Sequence, residues 1–229
     1  MSIQMLGVKI DTYSKEETLV KVSEFLQDNN QHTIFTPNPE MLVAAHKDNH
    51  FKAVLNSGSL NICDGKGIEL LARGRVVRFP GIDLMLAICR LAEQKNYSVY
   101  FLGSGKAEIL KQMLAKLPSD YPQLKIAGSN PGPHISIQQC NNLTITDVEK
   151  KENHQVIADI VSTSPDILFV AFGHNKQETW INQYLKRLPS VKIAMGVGGA
   201  FAYIAGNVTR APRRWQKFGV EWLWRLSHE

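Results

Sequence analysis

The chain has few cysteines and no pattern among them. Cys63, Cys89 and Cys140 lack metal-type spacing, and an odd, sparse set reads as reduced thiols in a cytosolic protein. No Cys-x-x-Cys or His-x-Glu pair suggests zinc, and no Asp-x-Asp occurs, so the usual acidic clamp for a metal-bound nucleotide sugar is absent and no metal is expected. No stretch reaches ~18 apolar residues, which excludes a membrane-spanning helix. Met1-Ser2-Ile3-Gln4-Met5 lacks a basic segment followed by a long apolar core, so no signal peptide is expected. The glycine fingerprints are incomplete. Gly103-Ser104-Gly105 has Glu108 where a dinucleotide motif needs a third glycine, and Gly196-Val197-Gly198-Gly199 lacks the Lys-Ser/Thr of a P-loop.

What is present is an ordinary globular composition. Of 229 residues, 44% are hydrophobic, enough for a sizeable core. The length suits one large α/β domain over residues 1–211, or two tightly joined lobes, with a helical segment from 212 to 229. The net charge of +5 suits an anionic ligand, a nucleic acid or an anionic membrane surface and does not choose among them.

Strand and helix signals alternate, which implies a mainly parallel sheet flanked by helices. Ser14 and Glu17 have capping-box spacing, with Leu19, Val22, Phe25 and Leu26 on one helical face behind them. Strands are expected at 33–36, 60–63, 97–102, 124–127, 166–172 and 191–195. Helices are expected at 40–55, 68–73, 80–94, 107–117, 148–161, 177–188 and 201–205, with a polar surface loop from His134 towards Lys151.

The corners between these elements carry the chemistry, because open α/β proteins bind ligands at strand C-terminal ends. Thr36-Pro37-Asn38-Pro39-Glu40 offers a hydroxyl and an amide on a proline-fixed loop, or only a rigid turn with a helix cap. Asp64-Gly65-Lys66-Gly67 sets a carboxylate beside glycines that allow close approach. It could serve as a general base or as a helix N-cap. Arg78 precedes a Pro-started helix, a combination suited to phosphate, although a solvated Arg fits equally. Gly103, Gly173, Gly198 and Gly199 mark turns where a backbone can approach a ligand. The polar run His174-Asn175-Lys176-Gln177-Glu178 opens a helix with donors for a phosphate or sugar hydroxyl, and a lone histidine such as His174 is more often structural than catalytic.

The C-terminal segment Arg210-Ala211-Pro212-Arg213-Arg214-Trp215 through Glu221-Trp222-Leu223-Trp224-Arg225 mixes indoles with cations. That suits a membrane interface or an anionic head group, or a helix packing its indoles onto the body.

Taken in order, Thr36-Pro-Asn-Pro-Glu, Asp64-Gly-x-Gly, Arg78-x-x-Gly-Ile-Asp, Phe101-Leu-Gly, Phe172-Gly-His-x-Lys-Gln-Glu, Gly196-Val-Gly-Gly-Ala-Phe and Arg210-Ala-Pro-x-x-Trp through Glu221-Trp-Leu-x-Arg resemble the WecG/TagA/CpsF glycosyltransferases over nearly the whole chain. The resemblance implies a Rossmann-like α/β fold with a C-terminal Arg/Trp-rich helical appendage, working in bacterial surface-polymer synthesis. It implies inverting, metal-independent transfer of N-acetylmannosamine, or its uronic acid, from a UDP-sugar donor to a polyprenyl-diphosphate-linked N-acetylglucosamine. It makes Asp64 the candidate catalytic base, puts Thr36 and Asn38 near the reacting sugar, and puts Arg78 and Gln177 near the diphosphate or acceptor. It assigns Arg210, Arg213, Arg214 and Arg225 to the membrane or lipid diphosphate. A cytoplasmic protein, peripheral on the inner membrane face and independent of nucleic acid and cofactor, follows; a homo-oligomer is left open.

This chain departs from the family pattern in several places. Ala202 stands where Asp is usual, Asn175 where Pro is common, and Pro133 where an aromatic often follows Pro-Gly. The 134–151 loop is longer than usual. Family members continue past the Glu-Trp-Leu-x-Arg motif, whereas this sequence stops at Glu229, as a truncated chain or one with a shorter anchor would. Two alternatives remain at this stage. One is a non-catalytic nucleotide-sugar- or membrane-binding subunit. The other is a nucleotide-dependent oxidoreductase, which the incomplete fingerprint disfavours.

Overall fold

The apolar runs of the sequence form a six-stranded parallel sheet in the order β4-β3-β10-β9-β5-β6, seen in a computed structural model that describes residues 1–137, 143–144, 147–208 and Pro212. The strands are β3 (His32–Phe35), β4 (Leu60–Asn61), β5 (Ser98–Gly103), β6 (Lys125–Asn130), β9 (Ile167–Ala171) and β10 (Ile193–Gly196). Two short antiparallel pairs accompany them: β1 (Ser2–Met5) with β2 (Val8–Asp11), and β7 (Ser136–Ile137) with β8 (Leu143–Thr144). The helices are α1 (Lys15–Gln27), α2 (Pro39–Lys47), α3 (Asn49–Asn56), α4 (Lys66–Leu71), α5 (Gly81–Lys95), α6 (Ala107–Asp120), α7 (Asp147–Thr163), α8 (Lys176–Tyr184) and α9 (Ala200–Ala205).

Both faces of the sheet are covered, which is why its central strands read as unbroken hydrophobic runs. Side chains alternate between two cores. Tyr100, Leu102, Leu168, Val170 and Ala194 pack with residues of α2, α3, α7, α8 and β2. Val99, Phe101, Ile167, Phe169, Ile193 and Met195 pack with residues of α1, α5, α6 and α9. The period of two along each strand thus assigns every residue to one layer or the other. The expected Rossmann-like α/β class is the observed one. The appendage expected from 212 onward lies outside the described residues, Pro212 apart.

Several expected elements are corrected. The single helix over 40–55 is two helices, α2 and α3. Asp48 ends the first with φ −127, ψ 102 and caps the second, accepting from the His50 and Phe51 N–H groups. The strand at 60–63 keeps ladder pairing only over Leu60–Asn61. The helix over 177–188 shortens to Tyr184 and tightens into a 3₁₀ turn over Leu185–Arg187. Within the expected 134–151 loop, β7 and β8 pair, and α7 has begun by Asp147. The capping box at Ser14 and Glu17 is present with both of its hydrogen bonds.

Sequence periodicity also missed the β1–β2 hairpin. Its turn, Leu6-Gly7, has φ of 50 and 82, the positive values that a two-residue hairpin loop needs. The hairpin buries Val8 and Ile10 and guards the sheet's β4 edge. The Asn61 N–H donates to Asp11 Oδ2 at 2.8 Å, and Asn61 Nδ2 donates to the Lys9 and Leu55 carbonyls.

Candidate active site

Because every strand of the large sheet is parallel, all strand C-terminal ends lie on one edge. The loops after β3, β4, β5, β9 and β10 gather there. β5 and β9 are neighbours, yet the chain leaves them in opposite directions along the sheet, through α6 to β6 and through α8 to β10. The two helices also lie on opposite faces. Such a divergence opens a crevice at the strand ends.

Two adjoining cavities occupy this edge. One, of about 220 Å³, is lined by Thr36, Asn38, Asp64, His174, Gln177 and Tyr203 among others. The other, of about 310 Å³, lies at the β5/β9 divergence and is lined by Ser104, Pro133, His134, Phe172, Lys176, Phe201 and Ala202 among others. Gly173, Gly198 and Gly199 line both and so stand between them.

Three loops are pressed together to build the first cavity. A Cβ on Gly65 would overlap Pro39, and one on Gly81 would come within 2.9 Å of Thr36 Oγ1. The Asp64 N–H donates to the Pro37 carbonyl at 3.1 Å. The carboxylate-bearing loop is therefore tied to the hydroxyl-and-amide loop through backbone contacts that only a glycine at 65 permits. Asn38 caps α2, its Oδ1 accepting from the Met41 N–H at 2.9 Å, so the N-cap role and the cavity role fall on one residue. The N-cap position of α4 is Gly65, one residue after Asp64.

Arg78 has a different setting from the one expected. It is not among the residues lining either cavity. Its Nε donates to the Asp64 carbonyl at 2.6 Å, and its backbone N–H donates to Glu69 Oε1 at 3.2 Å. It braces the Asp64 loop from behind. Gly103 also falls outside both linings. At φ +115 it lies so close to β9 that a Cβ would approach the Ala171 backbone to 2.7 Å. Gly173 and Gly198 differ: both have positive φ, and a Cβ would meet nothing within 4 Å, which leaves their backbone open to a ligand. Arg210, Arg213, Arg214 and Arg225 lie outside the described residues.

Gln177 reaches the first cavity but is almost wholly buried. Its Oε1 accepts from the Gly198 N–H at 2.9 Å and its Nε2 donates to Glu178 Oε1 at 2.7 Å. Glu178, to which sequence reasoning gave no role, is buried with Oε2 lacking a hydrogen-bond partner. Burial lifts its carboxyl to about 7, against the lowering effect of Gln177 and of the backbone N–H groups at the start of α8. No helical periodicity marks it: Gln177, Glu178, Thr179, Trp180 and Ile181 are all buried, right round the start of α8.

Cys63 adjoins Asp64, but burial, reinforced by the Asp64 and Glu69 carboxylates, pushes its thiol up to about 12. A thiol so raised carries little thiolate near neutral pH. Lys176 brings an ammonium to the second cavity at the start of α8, the positive end of that helix. Among the described residues no group of three or more His, Cys, Asp or Glu side chains could hold a metal ion, and no helix is long and apolar enough to cross a membrane.

A model of the glycosyl transferase WecG/TagA/CpsF family matches residues 3–229. An N-acetylglucosaminyldiphosphoundecaprenol N-acetyl-beta-D-mannosaminyltransferase of Bacillus spizizenii is 31% identical over 206 residues, covering 88% of this chain and 73% of that protein. One of the same name from Staphylococcus aureus is 27% identical over 229 residues, covering 97% of this chain and 83% of that protein.

Proposed function

The chain belongs to the WecG/TagA/CpsF family of glycosyl transferases, and we propose that it moves N-acetylmannosamine, or its uronic acid, from UDP to a polyprenyl-diphosphate-linked N-acetylglucosamine with inversion and without a metal. The observation that carries this reading is the place of Asp64. A carboxylate at a strand end faces a cavity shared with Thr36, Asn38 and the glycine turns. The relatives' names supply the acceptor and the sugar class.

On this reading an acceptor hydroxyl oxygen attacks the anomeric carbon while the bond to the UDP oxygen breaks on the opposite face. Asp64 takes the hydroxyl proton as the new glycosidic bond forms. Thr36 and Asn38 orient the reacting sugar. The first cavity holds the sugar and acceptor and the second holds the nucleotide, with the diphosphate between them at the three glycines. Negative charge grows on the departing diphosphate, and Lys176, the positive end of the α8 dipole and the open glycine backbone stabilise it. These groups do the work that a divalent ion does in transferases with an acidic clamp. Arg78 serves by holding the Asp64 loop. The C-terminal arginines, outside the described residues, contact the membrane or the lipid diphosphate and keep the enzyme peripheral on the inner membrane face.

The test is UDP release from UDP-N-acetylmannosamine with a short-chain lipid-diphosphate N-acetylglucosamine acceptor, in EDTA, for wild type and Asp64→Asn. Release should require the acceptor, survive EDTA and fall by ~10²-fold or more in the variant, with UDP binding retained. Unchanged turnover in Asp64→Asn overturns the base assignment. Loss in EDTA overturns metal independence. Vesicle binding without UDP or UDP-sugar binding would favour a non-catalytic subunit.

A further inference from the structure

The segment that follows Asp64 turns an unusual face to solvent. α4 points Ile68 inward, and Ala72, one turn on, is buried as well. Leu70 and Leu71 are nevertheless 66% and 75% exposed. The chain then turns at Arg73 and Gly74, both at positive φ, and the Arg78 N–H bond to Glu69 Oε1 folds it back against α4. This return strand carries Val77, also exposed. Other large exposed apolar residues among those described, such as Leu6, Val20, Val43 and Val161, are far from one another in sequence. Three within eight residues of one folded-back segment is a patch.

The patch is set in positive charge. Arg73 and Arg75 are exposed in the turn and make no ion pair among the described residues. The nearest carboxylate in sequence, Glu69, is engaged by Lys66 and by the Arg78 N–H. No acidic residue occurs between Glu69 and Asp83.

We propose that α4 and the turn after it form a docking surface for an anionic lipid bilayer, with Leu70, Leu71 and Val77 entering the head-group boundary and Arg73 and Arg75 meeting lipid phosphates. Leucines flanked by arginines match the two attractions that hold a peripheral surface to such a membrane, apolar burial and charge. A second copy of the chain is a poorer occupant, since an isologous contact would set one arginine turn against its equal. The inference rests on the proposed function for its purpose: the patch and Asp64 belong to one short segment, so docking by α4 would bring the base to an acceptor whose lipid is embedded in that bilayer. It adds a membrane contact on the catalytic loop itself, separate from the C-terminal segment.

The test compares the full chain with Leu70→Ser/Leu71→Ser and Arg73→Gln/Arg75→Gln. Binding to vesicles of phosphatidylcholine with phosphatidylglycerol, and of phosphatidylcholine alone, is measured beside UDP release with a soluble short-chain acceptor. All four positions are exposed, so both variants should fold. Each should lose about tenfold or more in affinity for the anionic vesicles while soluble turnover stays unchanged. Unchanged vesicle binding in both overturns the proposal. So does a leucine variant that breaks a dimer without altering vesicle binding, which would make the patch a self-association face. Vesicle affinity that falls in a protein with no soluble turnover would uphold this surface and defeat the proposed function instead.

Discussion

The Gly198 N–H donates a hydrogen bond to Gln177 Oε1 at 2.9 Å, joining the turn after β10 to the first turn of α8. The two loops that part the cavities are therefore held to each other by a buried side chain. Gln177→Leu should loosen the glycine turn, leave the Gly198 N–H without this acceptor and take one donor from Glu178 Oε1. A stability loss of about 1–3 kcal/mol is expected, with weaker UDP binding. Thermal unfolding and a UDP titration measure both. Lost affinity at unchanged stability would mean that Gln177 acts on the ligand directly and not through the turn.

Glu178 makes stability depend on pH. Its carboxyl is raised by burial to about 7 in the folded protein, so the native state holds a proton that the unfolded chain has released. Stability from this group is fully present below the ordinary glutamate value and is lost as pH rises through about 7. The loss is on the order of 3 kcal/mol at most. Glu178→Gln keeps the shape and removes the titration. Denaturant unfolding between weakly acidic and neutral pH should show a falling curve for wild type and a flatter one for the variant. Parallel curves would remove Glu178 as the source.

Trp180 supports the second cavity from within. Its Nε1 donates to the buried Asn153 Oδ1 at 2.7 Å, and its ring meets Phe172 edge-on with centroids 5.9 Å apart. Trp180→Phe leaves an aromatic ring but takes this donor from Asn153 Oδ1, a cost of about 1–3 kcal/mol. Trp180→Ala should cost more, about 3–5 kcal/mol, and displace Phe172 from the cavity wall. Equal unfolding midpoints for wild type and Trp180→Phe would show that this hydrogen bond adds nothing.

Gly103 and Gly198 should fail differently. Gly103→Ala drives a methyl into the Ala171 backbone and should act first on stability, by about 2 kcal/mol or more. Gly198→Ala meets no protein atom and should cost only about 1–2 kcal/mol for its left-handed backbone, while blocking close approach of a ligand. Unfolding and UDP binding measured on both variants give opposite rankings if this is right. Strong UDP binding by Gly198→Ala would remove that backbone from the site.

Much of the fold was legible because its signals are local. Leu168-Phe169-Val170-Ala171 could only be a strand covered on both faces, and Ser14 with Glu17 marks a helix start by spacing alone. That Asp64, Thr36 and Asn38 would share one edge was legible for the same reason: each follows a strand signal, and parallel strands put such corners together. The break at Asp48 was not legible, because Met41 to Leu55 keeps a helical apolar pattern across it and only the Asp48 backbone angles part α2 from α3. The hairpin was missed because its two strands are short and its turn places Leu6, an uncommon residue for positive φ, beside Gly7. Asn175 adopts φ +68, a left-handed value that no neighbouring residue in the sequence signals.

The sequence by itself determined the α/β class, the family and the loops that gather at the strand ends, since periodicity, caps and motifs are written within a few residues of one another. Only the tertiary structure decided the strand order that separates the loops after β5 and β9, the burial that sets Glu178 apart from other carboxyls, and the assignment of Gln177 and Arg78 to holding loops. Those depend on residues far apart in the chain meeting across a packed core, and on the water that such packing removes.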